Sequence, residues 1–399
     1  MSAAPAGVRS RPTAPVPTDL AQPVVDVRSD ATRIGAADWD ALVEPPGFYN
    51  SRPWTRALEQ THGATPVLAA TAAGRLVGVL PTWENTQPSG LFSLDEMTRG
   101  LLAPREQPLL WLGTRRSTVN TITCLREPGL RRRTLTALLE TARRLAAGQG
   151  RSGIVWPYLT RDAAREIASC HPLAQEVLHA ADAIVDVPAD GMEGLEAAAR
   201  SKSRIQWRRE QRLFREAGGS VEWVPLSPEI CEKIGPLLAR TRDRYGSPGG
   251  TAWMRRTLAG QMSSGVARNA VVALTRTGSD LSAAAVFYRH QDWIYGRYWG
   301  TSDSAPPYAY YTLTFYAAVD WAAAHGCRFL HLSVPASPAK TARGARLSPL
   351  SLVVLPTGPH QEIAEQALTR HNDRMAAELT ARNSPVSPAW PSCSNSGEA

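Results

Sequence analysis

No run in these 399 residues approaches the roughly 18 apolar residues that a membrane-crossing helix needs, so no span is expected. The first twenty residues are rich in alanine, proline and arginine and hold no apolar core, which argues against a secretory leader. Cysteine is scarce and scattered. Cys124, Cys170, Cys231, Cys327 and Cys393 form no CxxC pair, which argues against a structural zinc or a disulfide framework and fits a reducing cytoplasm. HExxH, GxSxG, P-loop and GxGxxG motifs are all missing, so neither a metal nor a cofactor is expected. Acid is in the minority as well, with 36 Asp and Glu against 44 Lys and Arg, a net charge of +8. Such a balance attracts phosphates, although scattered arginines can simply solvate a surface.

What is present is enough apolar residue, 43%, for cores of ordinary size in a chain long enough for two domains. The two ends, residues 1–22 and 383–399, are Pro-, Ala- and Ser-rich and read as disordered tails. Between them the same order of elements occurs twice: a strand, two helices, a hairpin of strands, a helix, another strand. The hairpin at 67–83 answers to 270–288, and the helix at 130–146 answers to 308–325, which suggests a duplication. A long helix at 192–217 stands between the halves.

The densest chemistry lies in residues 296–344. Arg297, Tyr298 and Trp299 sit in a strand. Asp303 and Ser304 offer caps, Pro306 and Pro307 suit a first helical turn, and Tyr308, Tyr310 and Tyr311 open the helix. A strand arginine among aromatics calls for a carboxylate or phosphate, or else for a buried salt bridge to Asp303 or Asp320. After the next strand, Lys340 and Arg343 read as two cations in a loop suited to an anion or oxyanion. His331 reads as a structural histidine. At about 100° per residue, Arg200, Arg204, Arg208, Arg212 and Arg215 fall within about 120° of one helix face. Like charges at i,i+4 repel, so the stripe calls for a counter-ion, a nucleic-acid backbone or plain water being the alternatives. Arg131, Arg132 and Arg133 add three cations to a helix start that is already partly positive.

In their order these stretches resemble the tandem GNAT-fold, Fem-type peptidoglycan aminoacyltransferases and related peptidoglycan biosynthesis and recognition proteins. The likeness rests on Tyr295-Gly-Arg297-Tyr298-Trp299-Gly, the 308–325 helix and Lys340-Thr-Ala-Arg343-Gly344. It also rests on Phe48-Tyr-Asn-Ser-Arg-Pro-Trp54 with Gly74-Arg75-Leu-Val-Gly-Val-Leu-Pro81, and on Lys202-Ser-Arg-Ile-Gln-Trp-Arg-Arg209. It implies an α/β (α+β) fold of two GNAT-like domains, each a mixed, mostly antiparallel sheet flanked by helices. The N-terminal domain would span 23–190, a basic linking helix 191–220, and the C-terminal catalytic domain 221–382.

The resemblance further implies an aminoacyltransferase that takes its amino acid from aminoacyl-tRNA. The acceptor would be the amine of a small natural-product molecule or of a peptidoglycan precursor. Lys340 would lie near the aminoacyl ester and Asp303 is a candidate proton acceptor. Arg297, Tyr298, Tyr310, Tyr311 and Arg343 would bind substrate. Arg131, Arg132, Arg133, Arg200, Lys202, Arg204, Arg208, Arg212 and Arg215 would hold the tRNA. Neither helix start has the Gly-rich turn that grips acyl-CoA pyrophosphate, and Pro306 and Pro307 lack the N–H donors of such a turn. An acyl-CoA-dependent transferase of the same fold and a non-catalytic nucleic-acid or wall-binding module are the rival readings.

Overall fold

The computed structural model describes residues 22–87, 89–102, 108–246, 249–358 and 362–381; the tails expected to be disordered lie outside them, Gln22 apart. Among the described residues, no helix is long and apolar enough to cross a membrane.

The first half contributes β1 (Val24–Arg28), β2 (Val67–Ala72), β3 (Arg75–Trp83), β4 (Leu110–Leu112), β5 (Gly153–Thr160) and β6 (Gln175–Asp186). The second contributes β7 (Glu222–Pro225), β8 (Ala270–Thr277), β9 (Asp280–His290), β10 (Trp293–Thr301), β11 (Phe329–His331) and β12 (Arg346–Pro356). Local chemistry fixes the hairpins. Ala73 and Gly74 both take positive φ, 48° and 75°, the backbone that a tight β2–β3 turn requires.

Among the described residues, all twelve strands join one sheet, in the order β1-β2-β3-β4-β5-β12-β6-β11-β10-β9-β8-β7. Adding six to each strand number of one half reproduces the pairings of the other. β1–β2–β3–β4 and β7–β8–β9–β10 are antiparallel runs. β4–β5 and β10–β11 are the parallel pairs. β5 then pairs with β12, and β11 with β6. Each half therefore lends its last strand to the other's sheet, and β6 pairs with β12 along the join. The domains expected as contiguous segments are interleaved at this point. The duplicated order read from sequence is the order of the elements: Pro128–Gly148 connects β4 to β5, and the helix begun at Ala309 connects β10 to β11.

The halves are welded by aromatic burial. Phe48, Tyr49 and Trp54, at the start of the helix Arg52–His62, pack on Tyr288 and Tyr295 of β9 and β10. Three fully buried rings of this size contribute several kcal/mol of transfer free energy, at about 1.5–3 kcal/mol for a Phe-sized side chain. Gly260 lets the helix Gly250–Ser264 approach, since a Cβ there would lie 3.0 Å from the Ala57 carbonyl.

Four local expectations are corrected. The 192–217 helix is two helices, Met192–Ala198 and Ser201–Glu216, because Ala199 and Arg200 are extended at ψ 151° and 145°. The two strands expected near 177 and 184–187 are one, β6. The prolines precede the tyrosine helix instead of forming its first turn, and Tyr308 is its N-cap at φ 61°. Lys340 lies on a short helix, Ser337–Thr341, started by Pro338.

Candidate active site

β10 and β11 run parallel only from Trp293↔Phe329 to Tyr295↔His331. Beyond that, β11 ends and β10 bulges between Gly296 and Tyr298, where Arg297 is the extra residue. The strands part, and the wedge between them is a cavity of about 260 Å³. Its walls include Gly296, Arg297, Tyr298 and Trp299 from β10, and Tyr310, Tyr311, Thr314 and Phe315 from the helix that follows. Leu332, Ser333, Lys340 and Arg343 close the other side, and Leu91 and Thr118 reach in from the first half. The helical wall is irregular, with a π turn over Thr312–Tyr316. Ser333 and Ala336 carry positive φ, 65° and 58°, as residues at strained site loops do.

Lys340 is buried, and its Nζ donates to the carbonyl oxygens of Leu332 and Ser333, the latter at 2.8 Å. An ammonium has three donors, so one remains. Burial lowers its pKa to about 8. Such a group donates a charge-assisted hydrogen bond at neutral pH and loses a proton under mildly basic conditions.

Arg343 also lines the cavity, but its counter-ion is internal. Its Nη2 donates to both carboxylate oxygens of Glu210, at 2.7 and 2.8 Å, in a pair with side chains 4% and 5% exposed. Tyr316 donates to Glu210 at 2.5 Å and accepts from Arg343 Nε at 3.1 Å, while the guanidinium lies 3.2 Å from the Tyr311 ring centroid. Burial alone would raise the Glu210 pKa; the hydrogen bonds from Arg343, Tyr316 and Gln206 outweigh it and hold it below the usual value. Arg343 is thus a wall-builder, and the expected carboxylate or phosphate contact is replaced by Glu210.

Asp303 is corrected more sharply. It lies outside the cavity lining, 77% exposed, ion-paired to Arg240 and Arg244 at the end of the helix Pro228–Arg244. The hydrogen bond from Arg240 lowers its pKa, which weakens it as a base. Arg297 pairs with neither Asp303 nor Asp320. Its Nη2 donates to the Arg116 carbonyl at 3.1 Å, and its buried Nε has no hydrogen-bond partner among the described residues. Asp320 instead accepts from the Met192 N–H at 2.8 Å. His331 is buried beside Asp182, Nε2 to Oδ2 at 3.0 Å, in the sheet beneath the cavity.

The structure brings together Arg297, Tyr298, Tyr310, Tyr311, Lys340 and Arg343. The cations assigned to tRNA divide. Arg131 is turned inward to Glu44 and Glu166, at 2.8 and 2.5 Å. Arg132 is exposed and donates to the Ser169 carbonyl, whereas Arg133 is half-buried. Arg204 donates to the Glu196 carbonyl and Arg208 pairs with Glu196 at 2.7 Å. Arg200, Lys202, Arg212 and Arg215 are exposed. The helix that carries this stripe touches the site through its inner face, where Trp207 Nε1 donates to the Ala342 carbonyl and Glu210 holds Arg343.

Sequence reasoning missed Thr118, Ser333 and Glu210. The Thr118 and Ser333 hydroxyls meet at 2.9 Å across the join of the halves. Neither lies in a motif, and only the folded sheet brings them together.

Two six-strand lobes in tandem, each with one parallel pair that splays, define a tandem GNAT-like protein. The chain belongs to the FemAB-like family, described as peptidoglycan biosynthesis/recognition, whose model matches residues 30–384. A conserved protein of unknown function from Bacteroides thetaiotaomicron VPI-5482 has a similar structure, with TM-score 0.53 and 12% identity, covering 83% of this chain and 100% of its own. FemX is similar at TM-score 0.52 and 12% identity, covering 80% of this chain and 96% of its own. At these identities the likeness concerns the fold. Comparison with curated proteins found no significant match.

Proposed function

We propose that this protein moves an aminoacyl group from aminoacyl-tRNA to the amine of a small acceptor held in the β10–β11 wedge. The observation that carries the reading is the wedge itself, where Lys340 with one donor to spare faces aromatic walls in a FemAB-like chain. The donor ester is already activated, so positioning supplies much of the rate. The neutral amine attacks the ester carbonyl; the C–N bond forms, the C–O bond to the ribose breaks, and the amine proton leaves through water or the departing hydroxyl. Lys340 donates to the oxyanion. Tyr298, Tyr310 and Tyr311 shape the pocket. The exposed cations of Ser201–Glu216 meet the tRNA backbone. Against an acyl-CoA donor stands the helix start, where Pro306 and Pro307 precede the Tyr308 cap and supply no N–H.

The test is transfer from labelled aminoacyl-tRNA pools against labelled acyl-CoA, with candidate amines. Ribonuclease-sensitive amide formation is expected. Transfer from acyl-CoA that survives ribonuclease would replace this reading with the rival donor.

A further inference from the structure

The transfer cavity is one-sided in charge. The charged side chains that line it, Arg297, Lys340 and Arg343, are all cations, and among the described residues no aspartate, glutamate or histidine joins them. Two acids lie near enough to be felt, and both are engaged. Glu210 is held by Arg343, and Asp182 stands against His331 at 3.0 Å in the sheet beneath. The aromatic walls hold no open seat for a cation either. The Arg343 guanidinium covers the Tyr311 ring at 3.2 Å from its centroid, and that of Arg297 lies 5.4 Å from the Tyr298 ring, so two π faces already carry one. Trp299 and Tyr310 are turned edge to face on each other, 5.3 Å between centroids.

Much of the remaining surface is apolar. Val286, Phe287, Phe315 and Leu332 line it, and Gly296 keeps the floor clear: a Cβ there would meet the Phe287 ring at 3.4 Å and the His331 carbonyl at 3.5 Å. An apolar cavity of roughly 150 Å³ admits a benzene ring. This one, at about 260 Å³, has room for a ring or a branched chain and for the group that reacts beside Lys340.

A charge taken into such a space is costly unless it is paired. A second ammonium on the acceptor would find only cations. The reacting amine is under the same pressure, because burial and the neighbouring Lys340 and Arg297 both disfavour its charged form. Its proton is given up to solvent on entry, and the lone pair that this frees is the one that attacks the ester. After attack the C–O bond breaks and one N–H proton goes to the departing ribose oxygen, so no base is needed in the lining. We infer that the acceptor is a primary amine on an aromatic or aliphatic body with no second cationic group, bound in the wedge as the free base. Its role as acceptor rests on the transfer reading; the class of amine rests on the charge and shape of the wedge.

The experiment uses the full chain and three amines: phenethylamine, pentylamine, and cadaverine, which is pentylamine with a second amine at its far end. Calorimetry without donor, at neutral pH in two buffers of different ionisation enthalpy, should show phenethylamine and pentylamine binding about tenfold tighter than cadaverine or more, each with release of about one proton. Thr314→Asp places a carboxylate on the tyrosine-helix wall and should reverse the order, with cadaverine preferred about tenfold over pentylamine. Ala339→Asp puts the same charge on the facing wall and repeats the test should the first variant not fold. Transfer to the amines that bind is then measured separately. Binding with this preference, but without transfer from any aminoacyl-tRNA pool, would end the donor assignment and keep the ligand class. Equal binding of pentylamine and cadaverine, binding without proton release, or no binding of any amine would overturn the inference and leave the donor untouched.

Discussion

The wedge after β4 and the wedge after β10 occupy equivalent places in the two lobes, yet one is bridged and the other is open. After β4 the chain turns at Gly113, φ 81°, where a Cβ would come within 2.7 Å of Trp156 Nε1, and rejoins β5 further along in the same direction. Asn120 closes the gap. Its N–H donates to the Tyr158 carbonyl at 2.7 Å, and it forms an isolated parallel bridge with Leu159. Its side chain accepts from the Thr114 N–H at 3.0 Å and donates to the Pro157 carbonyl at 2.9 Å. After β10 no such segment returns; the chain leaves through Asp303 and the prolines, and the gap stays open between Arg297 and Lys340. One topology thus serves twice, once as a plug and once as a site. The difference lies in where a dozen loop residues go.

The open wedge needs a brace that the closed one does not, and the Glu210–Arg343 pair supplies it. Glu210→Ala leaves Arg343 as an uncompensated buried charge and should cost about 3–5 kcal/mol in a urea unfolding experiment. Glu210→Leu with Arg343→Met removes both charges and should restore most of that loss. A single substitution without effect would remove the brace from the comparison.

If chemistry belongs to the open wedge alone, Lys340→Ala should lower kcat by about 100-fold or more, the range for removal of one oxyanion donor, with the fold intact by circular dichroism. The pH profile sharpens this. With Lys340 at about 8, the ammonium is lost as pH rises through that value, so turnover should fall there. In Lys340→Arg the high-pH limb should move out of range. The stability effect has the opposite sense. The folded state lowers this pKa from 10.5, so the unfolded chain binds more protons between about 8 and 10.5, and stability from this group rises with pH across that window.

The closed wedge is tested by Asn120→Ala. It strands the Thr114 N–H and the Pro157 carbonyl in a buried place and should cost about 2–4 kcal/mol by denaturant titration. Transfer per folded molecule should be unchanged. A large loss of turnover at full stability would mean that the two wedges act together.

The sequence made legible what is local. Pro53 stands in the first turn of Arg52–His62, and Ser227 caps Pro228–Arg244 by accepting from the Ile230 N–H. The aromatic strand and Lys340 were visible as types of residue crowded into one stretch. Partners were not legible. Arg343 and Arg297 both called for an anion. Glu210, far away in the chain, answers the first, and no acidic residue answers the second among the described residues. The exchange of β6 and β12 is a choice of neighbour, set by the whole sheet and written in neither strand. The break at Ala199 and Arg200 carries no glycine or proline to announce it.

The smallest effect expected concerns surface charge, where the halves again differ. Arg131, at the helix start of the first lobe, is spent on Glu44 and Glu166, so Arg131→Glu should act mainly on stability. On Ser201–Glu216, exposed Lys202, Arg209 and Arg215 have no acidic partner among the described residues. Arg209→Glu should therefore leave the unfolding midpoint nearly unchanged. It should weaken aminoacyl-tRNA binding a few-fold at low salt and reduce the slope of log affinity against log salt by about one, the signature of one lost phosphate contact. Transfer from a donor truncated to its terminal nucleotides should not change, because such a donor does not reach the helix. If Arg209→Glu and Arg131→Glu both alter stability and leave the salt slope untouched, the stripe is a solvated face and the tRNA path must run elsewhere.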